Sequence, residues 1–160
     1  MPKHYDDIES EDLYEMALQW ASQGFYDKAI ELVKQSIELN PNFIGAYIDL
    51  AHYYAKKHRY NDAFHVLKKA SKIDMCFHRL NYLMAKYAYK NGDYIAASKY
   101  IDRAIELSAE KLYIKAKAVI GKKSVKKLTK KKTVIIHKII SYCKIMNYIF
   151  YVFSNIYIFL

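Results

Sequence analysis

Glycine, proline and cysteine are all scarce in this chain of 160 residues, which holds four, two and two of them, beside a single tryptophan. The glycines Gly24, Gly45, Gly92 and Gly121 stand alone, so no glycine-rich loop is available to cradle phosphates. Cys76 and Cys143 supply neither a disulfide framework nor metal-ligand spacing. Six scattered histidines, His4, His52, His58, His65, His78 and His137, complete no triad, and only Cys76 and His78 bring the two residue types close together. That pair reads as a small buried hydrophobe beside a helix cap. No catalytic, cofactor or metal residue is therefore assigned, and the chain is read as a non-enzyme. The first ten residues are acidic and lack an apolar core, so no secretion signal is read and a reducing cytosol is the expected compartment.

What is present is a repeat. Segments starting at Ser10, Ile44 and His78 superpose at an offset of 34 without a gap. Small residues fall into register as Ala17, Ala51 and Ala85, as Ala29, Ala63 and Ala97, and as Ser36, Ala70 and Ala104. Tyr26, Tyr60 and Tyr94 align, as do the apolar Val33, Leu67 and Ile101. Two antiparallel helices approach closely only where a small side chain faces a large one, so such a register is a packing code. Within each unit the apolar positions follow a period of 3.6, for example Ala29, Ile30, Val33 and Ile37, with charges elsewhere. A period near 34 without strand-like alternation predicts stacked helical pairs.

The pattern resembles the tetratricopeptide repeat. Met16, Ala17, Trp20, Gly24, Tyr26, Ala29, Val33 and Pro41 stand where that family places its large, small, aromatic, turn and terminating residues. The second unit supplies Tyr47, Leu50, Ala51, Tyr54, Tyr60, Ala63, Leu67 and Ala70, and the third Met84, Ala85, Gly92, Tyr94, Ala97, Ile101 and Ala104. His58 departs from the pattern at the inter-helix turn, and Met75 and Ala109 replace the proline seen as Pro41. The resemblance implies an all-α fold, a right-handed superhelix of antiparallel helix pairs closed by a C-terminal capping helix.

The expected organisation is an acidic lead-in over residues 1–9, three repeats at 10–43, 44–77 and 78–111, and a capping helix to residue 120. Helices are expected over 10–22, 26–39, 44–57, 60–73, 78–90 and 94–107, with Ser10 capping the first. The seventh, over 109–120, would cover the last repeat with Leu112, Ile114 and Ala118 before dissolving into lysines.

Charge divides the chain sharply. Residues 1–110 carry 14 Lys and Arg against 16 Asp and Glu, whereas residues 111–160 carry 12 lysines and no acid. The net +10 therefore belongs to the tail and says nothing of the repeats. Three readings of residues 121–160 stand side by side. The uncharged run 145–160 behind the lysines has the layout of a membrane anchor, though it is short of the roughly 20 apolar residues a span needs. The lysines could dock on anionic lipid or nucleic acid through charge alone, the nucleic-acid role being the weakest of the readings. The composition also fits AT-rich sequence outside the native frame. Tyr148 to Tyr157 would be aggregation-prone if left in water.

Concave-facing residues come from the resemblance, which implies that positions 2, 5, 9, 12 and 13 of each unit line a groove. They are Glu11, Tyr14, Leu18, Ala21 and Ser22, then Gly45, Ile48, His52, Ala55 and Lys56, then Arg79, Tyr82, Lys86, Tyr89 and Lys90. The groove grades from apolar to basic, and its candidate contact residues are Tyr14, Leu18, His52, Lys56, Arg79, Tyr82, Lys86, Tyr89 and Lys90. Such a surface suits a peptide or helix with acidic and apolar side chains. Some family members clamp the C-terminal carboxylate of chaperones with lysines and asparagines, but Tyr14 and Leu18 occupy the corresponding places here, so that activity is not expected. The function read from the sequence is a cytoplasmic, non-catalytic interaction scaffold, the alternative being the same module tethered to a membrane by residues 145–160.

Overall fold

The computed structural model describes residues 3–74 and 76–158, with side chains over 6–74, 76–142 and at Met146. Met75, and the side chains of Cys143 and of nearly all of the 145–160 run, lie outside the described residues. Among the described residues seven helices follow one another: α1 Lys3–Ser22, α2 Tyr26–Leu39, α3 Ile44–Lys56, α4 Tyr60–Ala70, α5 His78–Lys90, α6 Tyr94–Leu107 and α7 Lys111–Ile158. No strand occurs among the described residues.

Each pair, α1 with α2, α3 with α4 and α5 with α6, closes through the same turn. Gly24 and Gly92 take positive φ values of 85° and 80°, and His58 reaches 59° at the matching place. The same two bonds recur around all three: Gly24 N to Ala21 O with Phe25 N to Trp20 O, His58 N to Ala55 O with Arg59 N to Tyr54 O, and Gly92 N to Tyr89 O with Asp93 N to Ala88 O. This pairing satisfies the last carbonyls of the first helix and needs a left-handed residue, which glycine supplies without steric cost. His58 therefore adopts the conformation of its glycine counterparts, and the turn itself is unchanged.

The small residues sit where the pairs touch. Ala17, Ala29, Ala51, Ala63, Ala70, Ala97 and Ala104 are fully buried, with Val33, Leu67 and Ile101 beside them. In the first pair Ser36 takes the place of Ala70 and Ala104, and its polarity is met inside the core. The Ser10 hydroxyl donates to the Ser36 carbonyl at 2.9 Å and lies 3.0 Å from the Ser36 hydroxyl.

Several expectations are corrected. Helix α1 begins at Lys3 instead of Ser10, so Ser10 is no cap but a buried residue well inside the helix. Asp6, in the first turn, meets the positive end of the helix dipole in its place. Helix α4 stops at Ala70, where the Ser71 hydroxyl bonds back to Lys68 O at 2.9 Å. Helix α7 runs on to Ile158 through the lysine run, because nothing between Lys111 and Ile158 breaks it: one glycine, no proline, and lysines that are good helix formers. Cys76 is exposed, and His78 is the first residue of α5, following a Phe77 cap that makes no side-chain bond.

The chain divides into two compact units, residues 1–121 and the rest from Lys122 on. In the first, α7 covers the end of the stack with Tyr113 and Ile120, buried against Ile101 and Ala104 with Ala116 alongside. Leu112 and Ile114, expected to do this, are 53% and 52% exposed, and Ala118 is exposed as well. The cap is real, but it presents a neighbouring face. In the second unit the described part is a continuation of α7, and among the described residues no helix is long and apolar enough to cross a membrane.

Candidate functional site

The first helix of each pair, α1, α3 and α5, carries the nine candidate residues, and none of their side chains is buried. Their neighbours are held together by a ladder of tyrosine hydroxyls that steps from one first helix to the next. Tyr14 on α1 donates to the Asp49 carboxylate on α3. Tyr87 on α5 meets His52 Nδ1 on α3 at 3.4 Å, and Tyr113 on α7 meets His78 Nδ1 on α5 at 2.8 Å. Each rung joins residues 35 apart, one more than the repeat. Partial burial, reinforced by Asp49, holds the Tyr14 phenol far above its usual range, and burial pushes Tyr87 up to about 12, so these hydroxyls remain protonated.

Around His52 the structure assembles a basic patch. Partial burial and then the charges of Lys86, Lys56 and Arg79 hold its imidazole below the ordinary histidine range, against an opposing pull from Asp49. Of the sequence candidates, His52, Lys56, Arg79 and Lys86 thus share one electrostatic neighbourhood drawn from α3 and α5. Tyr14 is committed to Asp49 and to an edge contact with Phe43 at 4.7 Å, while Leu18 is 40% exposed on α1. Lys90, in the last turn of α5, is exposed and makes no ion pair among the described residues.

Next to this patch lies an apolar cavity of about 290 Å³ between α5 and the first turns of α7, with Tyr82, Lys86 and Tyr89 on one side and Leu112, Ala116 and Val119 on the other. Tyr82 stacks on Tyr113 at 4.9 Å and 24°, and Tyr89 tilts against Tyr94 of α6 at 5.4 Å, so each ring is fixed on one face and open on another. The α7 contribution is absent from the sequence candidates. It could have been found by laying the fourth partial repeat at the same offset, which places Tyr113 at the second position of a unit starting at Leu112, in register with Arg79. A second cleft of about 460 Å³, lined by Lys68, Lys72, Lys99 and Arg103 of α4, α6 and the turn between α4 and α5, was also not foreseen. Glu106 in its wall pairs with Arg103 at 3.0 Å. Among the described residues no group of three or more His, Cys, Asp or Glu is placed to hold a metal ion.

Stacked helix pairs with a left-handed turn residue, alanine contacts and a covering helix define a helical-repeat solenoid. The tetratricopeptide repeat family model matches residues 32–65 and again 78–111, the second span coinciding with the third unit. A TPR repeat-containing protein of Methanocaldococcus jannaschii is 31% identical over 126 residues, which are 78% of this chain and 20% of that protein. The chain thus spans about a fifth of that relative's length. Among solved structures, the Yersinia enterocolitica type III secretion chaperone SycD in complex with a peptide of the translocator YopD matches with a TM-score of 0.65. It is 20% identical over 73% of this chain and 93% of that one. The second TPR domain of human RPAP3 in complex with an HSP70 peptide matches with a TM-score of 0.65 at 17% identity, over 75% and 98%. Residues 1–121 thus form a tetratricopeptide-repeat solenoid of antiparallel helix pairs.

Proposed function

We propose that this protein is a non-catalytic scaffold whose α1, α3 and α5 face, completed by α7, binds an extended peptide or short helix of a partner protein. The single observation that carries this reading is the adjacency of a basic patch and an apolar cavity that share Lys86. A ligand side chain of leucine or phenylalanine size fits the cavity, and an acidic neighbour on the same ligand would meet Lys86, Lys56 and Arg79. Cations there fix orientation and on-rate, while the tyrosine rings supply contact area at low entropic cost. Support also comes from the solved relatives, since SycD and RPAP3 carry peptides on the same fold.

The test is fluorescence polarisation with a panel of labelled peptides pairing one large apolar residue with acidic neighbours. Lys86→Glu with Lys90→Glu is expected to weaken capture by about tenfold or more, because a favourable charge contact becomes a repulsive one. Ala116→Trp, which fills the cavity, is expected to weaken it independently. Panel members that bind wild type and both variants equally would show that ligands use another surface, and a panel with no binder at all would remove the reading.

A further inference from the structure

We propose that the part of α7 beyond Lys122 is an in-plane membrane helix that lies on a bilayer containing anionic lipid. Val125, Leu128, Ile135, Ile139, Tyr142 and Met146 recur three, seven, four, three and four residues apart, which at 3.6 residues per turn is a single stripe. The stripe faces water, Leu128 at 57% and Tyr142 at 69% exposure. Lys122, Lys123, Lys126 and Lys130 project from the opposite side of the same helix and are exposed.

The chemistry selects one occupant. A second copy of the helix is opposed, because residues 111–160 contain no acid to face its lysines and Lys132 stands inside the stripe where a heptad seam wants an apolar residue. Nucleic acid would use the lysines and leave the stripe in water. Among the described residues no helix is long and apolar enough to cross a membrane. An anionic bilayer surface satisfies both faces at once. The stripe enters the headgroup and acyl boundary, the lysines meet lipid phosphates and carboxylates, and Lys132 reaches the headgroups by extending its four-carbon stem.

The experiment is flotation of the full-length chain with vesicles of phosphatidylcholine alone, or with about 30 mol % phosphatidylserine. The chain is expected to float with the anionic vesicles, to stay behind with the neutral ones, and to be released progressively as salt rises. Leu128→Gln with Ile135→Gln and Ile139→Gln keeps every lysine and the net charge, and is expected to cut vesicle binding by more than about tenfold. Lys126→Arg with Lys130→Arg should bind like wild type. Failure to float with anionic vesicles would overturn the proposal, as would equal flotation of the stripe variant, which would mean attraction by charge alone. Retention by duplex DNA that outcompetes the vesicles and ignores the stripe substitutions would overturn it too. None of these outcomes depends on peptide binding by the repeats.

Discussion

His58 holds a left-handed backbone with a side chain that gains little from it, its Nδ1 lying 3.0 Å from the Tyr60 hydroxyl on an exposed turn. Because Gly24 and Gly92 make the same turn without a Cβ, His58→Gly is expected to stabilise the fold by about 1 kcal/mol. Chemical denaturation measures this directly. The Ser10 and Ser36 pair behaves in the opposite sense. Ser10→Ala strands a buried hydroxyl on Ser36 and is expected to cost about 1–3 kcal/mol, whereas adding Ser36→Ala, which matches Ala70 and Ala104, should recover part of the loss. His52 sets the sign of one pH effect. Its folded-state proton affinity lies below the free value of 6.5, so the unfolded chain takes up the proton first and the folded state loses stability as pH falls through that window. An NMR titration should find the His52 midpoint below 6.5, and Lys86→Glu should move it upward.

At the scale of elements, the helix pairs are legible because packing demands recur: alanines at fixed places, an aromatic opposite, and a turn residue between. The limits of helices are legible only where something stops them. Ser10 followed by acids suits a cap and a helix interior equally well, and only its burial against Ser36 separates the two. The lysine run abandons the repeat and so suggests a helix end, yet lysine itself favours helix and no breaker follows. The capping face is hidden in the sequence for a related reason. Leu112, Ile114 and Ala118 are the apolar choice by composition, whereas the ladder between first helices recruits Tyr113 to His78 and so turns Ala116 and Ile120 inward. Tyr113→Ala is therefore expected to cost about 3–5 kcal/mol in a denaturation series, and Leu112→Ala less than about 0.5 kcal/mol. The α7 wall of the apolar cavity escaped the sequence for the same reason, since it depends on which side of α7 faces α5.

Across the whole molecule, charge and core are divided between the two units. Every buried hydrophobic residue from Ala17 to Ile120 lies in the first, and the second is a helix of exposed apolar and lysine side chains over its described length. A chain ending at Gly121 is expected to keep the unfolding midpoint of the full-length protein, with thermal scans of the two forms as the check. The constancy of the repeat hides a compensation. Helix α4 has 11 residues against 14 in α2 and α6, and the connector over residues 71–77 is longer to match. The period is thus kept by the count of residues between pairs instead of by helix length. That connector places the Cys76 thiol in water beside the joint between the second and third pairs. With Cys143 replaced by serine, a maleimide dye at Cys76 would ride on that joint without displacing a core atom, giving a reporter for whether the stack flexes when something enters it.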